Sequence, residues 1–250
     1  MYLLFKKIIK AVRLAPVTLY RRALRHVVAA AIEHERLLVA LDCQTVVDIG
    51  ANRGQFSLVA RHCFPKARIV SFEPLPGPAS IFRRVFSDDD QVLLHQTAIG
   101  PRSEVRTIHV SQRDDSSSLL PISSVQTAMF PGTGEISTTE VRVAPLEELI
   151  TADDLRAPAL LKLDVQGFEH EALIGCESLL SHFDMVYCEC SFVELYSGQK
   201  LAWEIIDWLS ARGFGLVGIF NTTYQHGQAV QADFLFGRKG GRCLVEKELP

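Results

Sequence analysis

The stretch VVDIGANRGQFS, residues 46–57, decides the fold of this 250-residue chain. An apolar run leads into Asp48, Gly50, Asn52 and Gly54, and a helical pattern follows at once. Gly50 and Gly54 have no Cβ, so the chain can turn sharply and a ligand can approach the backbone closely. The unpaired N–H groups at the start of the following helix would face that ligand. The spacing G-A-N-R-G differs from the G-x-G-x-x-G of a dinucleotide site and favours a cofactor without phosphates.

A second carboxylate, Glu73, ends the next predicted strand in the sequence SFEP, 25 residues after Asp48. A carboxylate there can accept hydrogen bonds from both hydroxyls of a ribose. Open α/β sheets bind ligands beyond the carboxyl ends of their strands, so we expect Asp48, Gly50 and Glu73 to converge. Pro74 and Ala98, at neighbouring strand ends, are expected to join them. The alternative is that the glycines only shape a turn and Glu73 is a solvated strand end.

Beyond residue 44, short apolar runs alternate with helical patterns, which is typical of parallel β-α-β units. We predict one α/β domain over residues 44–250, preceded by a helical arm over residues 1–43. Its doubly wound, mostly parallel sheet of seven strands would be closed by an antiparallel hairpin at the carboxyl end. The sheet strands are TVVDIGA (45–51), RIVSFEP (68–74), VLLHQTAI (92–99), ALLKLDV (159–165), DMVYCECS (184–191), GLVGIF (215–220) and ADFLFG (232–237), and a less regular segment holds the strand-like runs VRTIHVS (105–111) and VRVAPL (141–146).

The segment ALLKLDVQGFEHEALIG, residues 159–175, repeats the pattern of strand, acid, glycine and helix. Asp164 ends an apolar strand, and Glu169 lies in the first turn of the helix, where an acid complements the helix dipole. A carboxylate at the end of a buried strand needs a partner or a function. Asp164 is therefore expected over the same crevice as Glu73.

Five stretches of the chain occur in the order found in FkbM-type methyltransferases, a family that the sequence resembles over residues 45–190. The long signature at residues 159–175 is more specific than the glycine turn alone. Family members commonly have D-V-E-G where this chain has D-V-Q-G, so a role for charge does not carry over to Gln166. The stretches are DIGANRGQFSLVA, SFEP, SSSL (116–119), VRVAPLEEL and LLKLDVQGFEHEALIG.

The resemblance implies a class I methyltransferase (Rossmann-like) sheet, S-adenosylmethionine as methyl donor and a hydroxyl acceptor in a glycan, glycolipid or polyketide-type molecule. A sulfonium cofactor with an amino acid carboxylate also suits a turn that has its own acid, Asp48. Two alternatives stay open: a non-catalytic scaffold that keeps the nucleoside fold, and an NAD-dependent oxidoreductase on a similar sheet. The acids Asp48, Glu73 and Asp164 argue against the scaffold, and the missing third glycine argues against the oxidoreductase.

Methyl transfer to a hydroxyl needs an aligned acceptor oxygen and a base that removes its proton. Asp164 is the first candidate for that base, and His170 and Glu189 are the alternatives. A plainer interpretation of His170 is a helix surface residue. Asp164 and Glu189 could instead hold a divalent cation, but two carboxylates are weak evidence for a metal site and we predict none.

The polar loop RDDSSS, residues 113–118, is expected to reach over the cofactor. Its hydroxyls on Ser116, Ser117 and Ser118 are candidates for binding a polar acceptor, with a solvated turn as the alternative. Tyr196 is a further acceptor-binding candidate. It belongs to a set of residues near later strand ends that could form an aromatic platform for a sugar: Tyr196, Trp203, Phe220, Asn221 and Tyr224. For Trp203 and Phe220, packing in the core is the default interpretation.

Charge is unevenly distributed along the chain. Residues 1–36 have eight Lys or Arg against two Glu, a charge of +6, whereas 18 basic and 27 acidic residues leave −9 for the remainder. A basic amphipathic helix is predicted over Tyr2–Val12, and a second helical pattern runs from Leu19 to Ala31. Both are shorter than the ~20 apolar residues that span a bilayer. We expect this arm to contact an anionic membrane at the inner leaflet, or else its own domain or the second subunit of a homodimer.

Composition and cysteine spacing disfavour two further kinds of protein, a nucleic-acid-binding protein and a protein with a cysteine zinc site. The acidic body gives no general attraction to phosphate backbones, so nucleic acid is not an expected partner. The six cysteines have no C-x-x-C spacing, and most lie inside apolar runs, which fits buried thiols in a reducing cytoplasm. Cys188 and Cys190 are expected to face the same side of a strand.

Overall fold

The computed structural model describes residues 16–240, and its ten strands form two sheets. Seven strands make the central sheet, in the order β3-β2-β1-β7-β8-β10-β9, and three make a smaller one, in the order β4-β6-β5. The strands are β1 (Thr45–Ile49), β2 (Arg68–Phe72), β3 (Val92–His95), β4 (Ala98–Ile99), β5 (Glu104–Ser111), β6 (Glu135–Ala144), β7 (Ala159–Leu163), β8 (Met185–Ser191), β9 (Phe214–Gln225) and β10 (Gln228–Arg238).

The central sheet confirms the predicted architecture. Strands β3, β2, β1, β7 and β8 pair in parallel, and β10 is antiparallel to both β8 and β9. The chain proceeds from β1 to β2 and β3 on one side and then returns to β7 and β8 on the other. This reversal places a crevice beyond the carboxyl ends of β1 and β7, where open sheets bind ligands. Every residue of β1 and β7 is buried, because helices cover both faces.

Two apolar clusters lie on opposite faces of the sheet. Leu58 and Phe82 belong to one, and Ala172 and Leu209 to the other. Cys188 and Cys190 lie together in the second cluster, so they share a face as expected. The helices are α1 (Thr18–Leu24), α2 (Glu35–Leu38), α3 (Gln55–Cys63), α4 (Pro76–Val85), α5 (Ser124–Met129), α6 (Glu169–Gly175) and α7 (Ala202–Ala211), with 3-10 turns at Ile32–His34, Asp114–Ser116, Leu146–Glu148, Ala152–Asp154 and Glu177–His182.

The predicted strand 92–99 is wrong as a single element. Strand β3 ends at His95, because its neighbour β2 ends at Phe72 and the last bond runs from the Glu73 N–H to the His95 carbonyl. Ala98 and Ile99 then pair with β6 in the smaller sheet. Strand β6 itself begins at Glu135, six residues before the predicted run, and its first six residues are exposed. An exposed strand lacks the apolar alternation by which sequence reveals strands.

Two predicted helices are shorter in the structure. The pattern from Leu19 to Ala31 forms a helix only as far as Leu24, and Val27 then takes a φ of 60°, which ends helical geometry. The helix predicted from Glu169 to Leu180 divides into α6 and a 3-10 turn.

The described part of the amino-terminal arm packs on the central sheet. Tyr20, Val28 and Leu38 are buried in the same apolar cluster as Val46 of β1 and Leu160 of β7. The basic helix predicted for Tyr2–Val12 lies outside the described residues. Within residues 16–240, no helix is long and apolar enough to cross a membrane.

Candidate active site

A cavity of about 550 Å³ lies beyond the carboxyl ends of β1, β2 and β7. The glycine turn, the loop at residues 113–118 and the segment at residues 27–34 enclose it. Of the residues predicted from the sequence, those that line it are Gly50, Asn52, Glu73, Pro74, Ala98, Ser117, Ser118 and Asp164. Those that do not are Asp48, Gly54, Ser116, His170, Glu189 and Tyr196.

The glycine turn is packed so tightly that side chains would not fit at its two ends. Gly50 has a φ of +79°, and a Cβ there would lie 1.8 Å from the Asp164 carbonyl oxygen. Gly54 has a φ of +93°, and its Cβ would lie 2.6 Å from the Phe86 ring. Gly54 therefore acts through packing behind the turn and not by contact with a ligand, which corrects its place in the predicted site. Asn52, between them, lines the cavity with a φ of 47°.

Glu73 is a buried carboxylate fixed at the edge of the cavity. Its Oε2 accepts a hydrogen bond from the Asn52 N–H at 3.0 Å, and its Oε1 accepts one from the Leu75 N–H at 2.7 Å. Burial raises the pKa of Glu73 to about 7, although these two hydrogen bonds lower it. Each oxygen keeps a further lone pair, so the carboxylate can accept from two ligand hydroxyls.

Asp48 lies beneath the turn and does not reach the cavity, contrary to the prediction. Its Oδ2 accepts a hydrogen bond from the Ser57 hydroxyl at 2.6 Å, and its Oδ1 lies 3.0 Å from Nζ of Lys162. Lys162 does line the cavity, and its Nζ also donates to the Gly50 carbonyl at 3.3 Å. Burial alone would lower the pKa of Lys162, but the carboxylates of Asp48 and Asp164 offset this and raise it above its usual range. Sequence reasoning missed Lys162, and its signal was a lysine inside an apolar strand.

Asp164 lines the cavity with a carboxylate that other side chains hold in place. Lys162 Nζ lies 3.8 Å from its Oδ2, and Gln166 Nε2 donates to its Oδ1 at 2.7 Å. Gln166 Nε2 also lies 3.1 Å from Oε2 of Glu189, and Tyr196 donates its hydroxyl to Gln166 Oε1 at 2.8 Å. Glu189 and Tyr196 thus contact the cavity-lining residue Gln166 but do not line the cavity themselves. Direct contact with an acceptor, predicted for both, does not fit these positions.

Glu189 has a pKa well above its usual range because it is buried close to other carboxylates. Gln231 donates to its second oxygen at 2.7 Å, so the two oxygens of Glu189 are engaged by two amides. Among the described residues, no group of three or more His, Cys, Asp or Glu is placed to hold a metal ion.

His170 lies away from the cavity, which corrects its place among the candidate bases. Its ring packs edge-on against Trp208, with the centroids 6.1 Å apart. A helix-surface histidine is what the alternative interpretation predicted for this position.

Two residues of the proposed aromatic platform, Trp203 and Tyr224, lie outside the cavity lining, and Trp203 is 54% exposed.

The loop at residues 113–118 is fastened over the cavity. Arg53 of the glycine turn donates from Nε to Asp114 Oδ2 at 2.9 Å, and Ser118 donates its hydroxyl to the Gln166 carbonyl at 2.6 Å. Ser117 lines the cavity, whereas Ser116 is buried, with its carbonyl oxygen 3.1 Å from the Tyr196 hydroxyl oxygen. The predicted serine cluster is therefore divided, and only its last two members face the cavity.

The segment at residues 27–34 supplies a wall of the cavity that sequence reasoning did not foresee. It contributes Val27, Val28, Ala29 and Ala31, followed by Glu33 and His34. In the sequence these residues belong to the basic arm, and no motif connects them to the glycine turn. Only packing of the arm on the central sheet brings them there.

The chain is similar to known methyltransferases over most of its length. The family described as the methyltransferase FkbM domain matches residues 48–216, more than half of the chain. The 2-O-methyltransferase NoeI of Sinorhizobium fredii is 29% identical over 186 residues, covering 70% of this chain and 74% of that protein. The 31-O-demethyl-FK506 methyltransferase FkbM of Streptomyces tacrolimicus is 26% identical over 200 residues, covering 69% and 73%.

Among solved structures, magnesium protoporphyrin IX methyltransferase from Synechocystis PCC 6803, with bound S-adenosylmethionine, aligns with a TM-score of 0.46 at 12% identity, covering 83% of this chain and 81% of that one. The matched residues include the glycine turn, Glu73 and Asp164, which contribute to the lining of the cavity. The chain therefore belongs to the FkbM methyltransferase family and is an S-adenosylmethionine-dependent methyltransferase.

Proposed function

We propose that the protein methylates a hydroxyl oxygen of a small-molecule or glycan acceptor. The observation that carries this proposal is a single cavity with a carboxylate at two strand ends, Glu73 after β2 and Asp164 after β7. The two relatives named above support it, because both of their names specify transfer to oxygen. A hydroxyl is a weak nucleophile, so its oxygen must be held in line and its proton accepted.

The residues present fit the cofactor. Glu73 offers two oxygens to ribose hydroxyls, and Gly50 and Asn52 of the glycine turn line the cavity beside it. Leu75 and Ala98 line the cavity beside Glu73 and offer apolar surface to a purine. When bound, S-adenosylmethionine supplies an electrophilic methyl group on a positively charged sulfur. Asp164, 39% exposed toward this cavity, is an anion suited to that charge and to a hydrogen bond from an acceptor hydroxyl.

The experiment is methyl transfer from S-adenosylmethionine labelled with tritium in the methyl group. Acceptors would be free oligosaccharides, glycolipids and hydroxylated polyketides, with the product bond identified by NMR. We expect a methyl ether, and calorimetry should show binding of S-adenosylhomocysteine that Glu73→Ala abolishes. Methylation only at nitrogen, or binding of NAD in place of S-adenosylhomocysteine by a folded protein, would contradict the proposal.

We further propose that the enzyme works in the cytoplasm with its basic arm against an anionic inner leaflet. Arg21 and Arg25 of the arm are exposed, as are Leu24 at 43% and Val27 at 83%, and Val27 lines the cavity mouth. Cationic and apolar side chains side by side suit an anionic interface. Buried cysteine thiols such as Cys43 and Cys176 suit a reducing compartment.

Sedimentation with vesicles tests this contact. The full chain should bind phosphatidylglycerol vesicles but not phosphatidylcholine ones, and Arg21→Glu with Arg25→Glu should weaken binding. Light scattering is the second readout, because a dimer that these substitutions dissociate, without vesicle binding, would assign the surface to a second subunit.

A further inference from the structure

A partly buried polar cluster holds one nitrogen of the cavity-lining residue His34. His34 Nδ1 lies 2.9 Å from the Tyr187 hydroxyl, which donates to Asp233 Oδ2 at 3.0 Å. Asn221 donates to the same Asp233 oxygen at 2.8 Å. The cluster thus joins the amino-terminal arm to strands β8, β9 and β10. His34, Asn221 and Asp233 all lie outside residues 48–216, which match the family.

The hydrogen bonds of the cluster select one tautomer of His34. Two oxygens 3.0 Å apart, Tyr187 Oη and a carboxylate oxygen of Asp233, need a hydrogen between them, and only the tyrosine can supply it. Tyr187 Oη then meets His34 Nδ1 with its lone pairs, and in this arrangement Nδ1 supplies the hydrogen of that contact. Asn221 Nδ2 lies 3.2 Å from Nδ1, and its two hydrogens have Asp233 Oδ2 and Tyr187 Oη as acceptors. A neutral imidazole with hydrogen on Nδ1 has its lone pair on Nε2. The ring lines the cavity, so Nε2 is the nitrogen left for a ligand.

The His34 ring has a carboxylate as its neighbour, whereas the Asp164 carboxylate has a cation as its neighbour. Asp233 lies 3.4 Å from His34 Nδ1. Burial raises the pKa of Asp233, and the His34 charge and the Asn221 hydrogen bond oppose that rise. Asp164, by contrast, lies 3.8 Å from Nζ of Lys162 and accepts a hydrogen bond from Nε2 of Gln166.

Other charged residues also lie close to this part of the cavity. Glu33, next to His34 in the sequence, lines the cavity as well, and Glu35 lies 3.5 Å from Nε2 of His62. Nζ of Lys162 and the centroid of the His34 ring lie 5.4 and 5.3 Å from the centroid of the Phe56 ring.

We propose that His34 is a catalytic residue that takes the proton of the acceptor hydroxyl, with Tyr187 and Asp233 as positioning residues. This inference rests on the proposed O-methyl transfer. Nε2 accepts the hydroxyl proton as the oxygen bonds to the methyl carbon, and the electron pair of the broken C–S bond stays with sulfur. The products are a methyl ether, S-adenosylhomocysteine and an imidazolium, which then gives its proton to water.

Two isosteric variants test the role of each nitrogen. His34→Asn keeps an N–H near the Nδ1 position for Tyr187 and removes Nε2, whereas Asp233→Asn keeps both ring nitrogens and removes the carboxylate charge. We expect His34→Asn to lower kcat 10²- to 10⁴-fold with little change in affinity for S-adenosylhomocysteine. At saturating S-adenosylmethionine, where the Glu73 effect on affinity does not enter, Asp233→Asn should lower kcat less and shift the acid limb of the pH profile of kcat, and His34→Asn should abolish that limb. His182→Asn, at an exposed histidine, is the matched control and should change none of these.

A spectroscopic readout separates this inference from the proposed function. In nitrogen-15 histidine spectra of the full chain, the His34 signals, assigned by their loss in His34→Asn, should show the hydrogen on Nδ1. The opposite tautomer would overturn the inference, as would a kcat within threefold of wild type in folded His34→Asn. A wild-type protein that shows the expected tautomer and binds S-adenosylhomocysteine, yet methylates no hydroxyl, would overturn the proposed function instead.

Discussion

Nζ of Lys162 lies 3.0 Å from Oδ1 of Asp48, and both side chains are almost fully buried beneath the glycine turn, at 6% and 0% exposure. The two residues are register partners on the parallel strands β1 and β7. Their pairing explains how a charged lysine is accommodated in an otherwise apolar strand. It also connects the two strand ends that carry the glycine turn and Asp164.

Removing the Lys162 cation from this pair should lower the free energy of unfolding. Lys162→Met leaves Asp48 and Asp164 without their shared cation, and a buried charge that loses its partner costs about 3–5 kcal/mol. The free energy of unfolding from urea denaturation should fall by that amount. Lys200→Met is the control, because Lys200 pairs with Glu204 at the surface and such a pair contributes about 0.3–0.5 kcal/mol. Equal losses in the two variants would contradict a buried ion pair.

Cofactor affinity should depend on pH through Glu73. Burial raises the pKa of this carboxyl to about 7, so it takes up a proton as the pH falls through 7 and then offers one acceptor fewer to a ribose. Affinity for S-adenosylhomocysteine should therefore be present above pH 7 and fall about tenfold between pH 8 and pH 6. Calorimetry at both values measures this. Glu73→Gln should bind weakly at both, and a wild-type affinity that does not change with pH would refute the role of the carboxylate.

Much of the fold could be predicted from local patterns. The glycine turn, the parallel strands and the closing hairpin have short-range sequence signals, since apolar runs and glycines report burial and backbone geometry directly. The first six residues of strand β6 were not predicted, because they are exposed. The break between His95 and Ala98 escaped because it depends on where the neighbouring strand β2 ends.

The candidate site could be predicted only where residues share a motif. Glu73 and Asp164 end strands whose carboxyl edges must coincide, so their convergence followed from the sheet. Lys162 and His34 depend on tertiary contacts across about 110 and 150 residues, to Gly50 and Tyr187, which no local pattern reports. Asp48 was misplaced because a strand-end acid can point into a cavity or beneath it, and its buried lysine partner decides which.

The close packing at Gly50 should make this position far less tolerant of substitution by alanine than Gly77. Gly50→Ala would put a Cβ 1.8 Å from the Asp164 carbonyl oxygen at a φ of +79°, so either the turn or β7 must move. We expect a loss of more than about 3 kcal/mol in the free energy of unfolding and loss of S-adenosylhomocysteine binding. Gly77→Ala is the matched control in helix α4, where a Cβ meets open space, and it should stabilise by about 0.5–1 kcal/mol. Denaturation curves for both variants measure these changes. A stable Gly50→Ala variant that still binds S-adenosylhomocysteine would contradict the prediction and show that the turn can relax.

The amide of Gln166 should matter for stability because it lies between the carboxylates of Asp164 and Glu189. Its Nε2 donates to Asp164 and lies 3.1 Å from Glu189, so Gln166→Glu would place a third carboxylate between them. One of the three must then hold a proton in the folded protein, and an acid with a raised pKa loses stability as the pH rises. The variant should therefore be destabilised relative to wild type, and by at least about 1.4 kcal/mol more at pH 8 than at pH 6. Gln96→Glu, at an exposed glutamine that accepts from Arg83, should show no such difference, because the new charge faces a cation. Parallel thermal melts at the two pH values give the comparison, and a Gln166→Glu variant with the same pH response as wild type would mean that the three acids do not share one site.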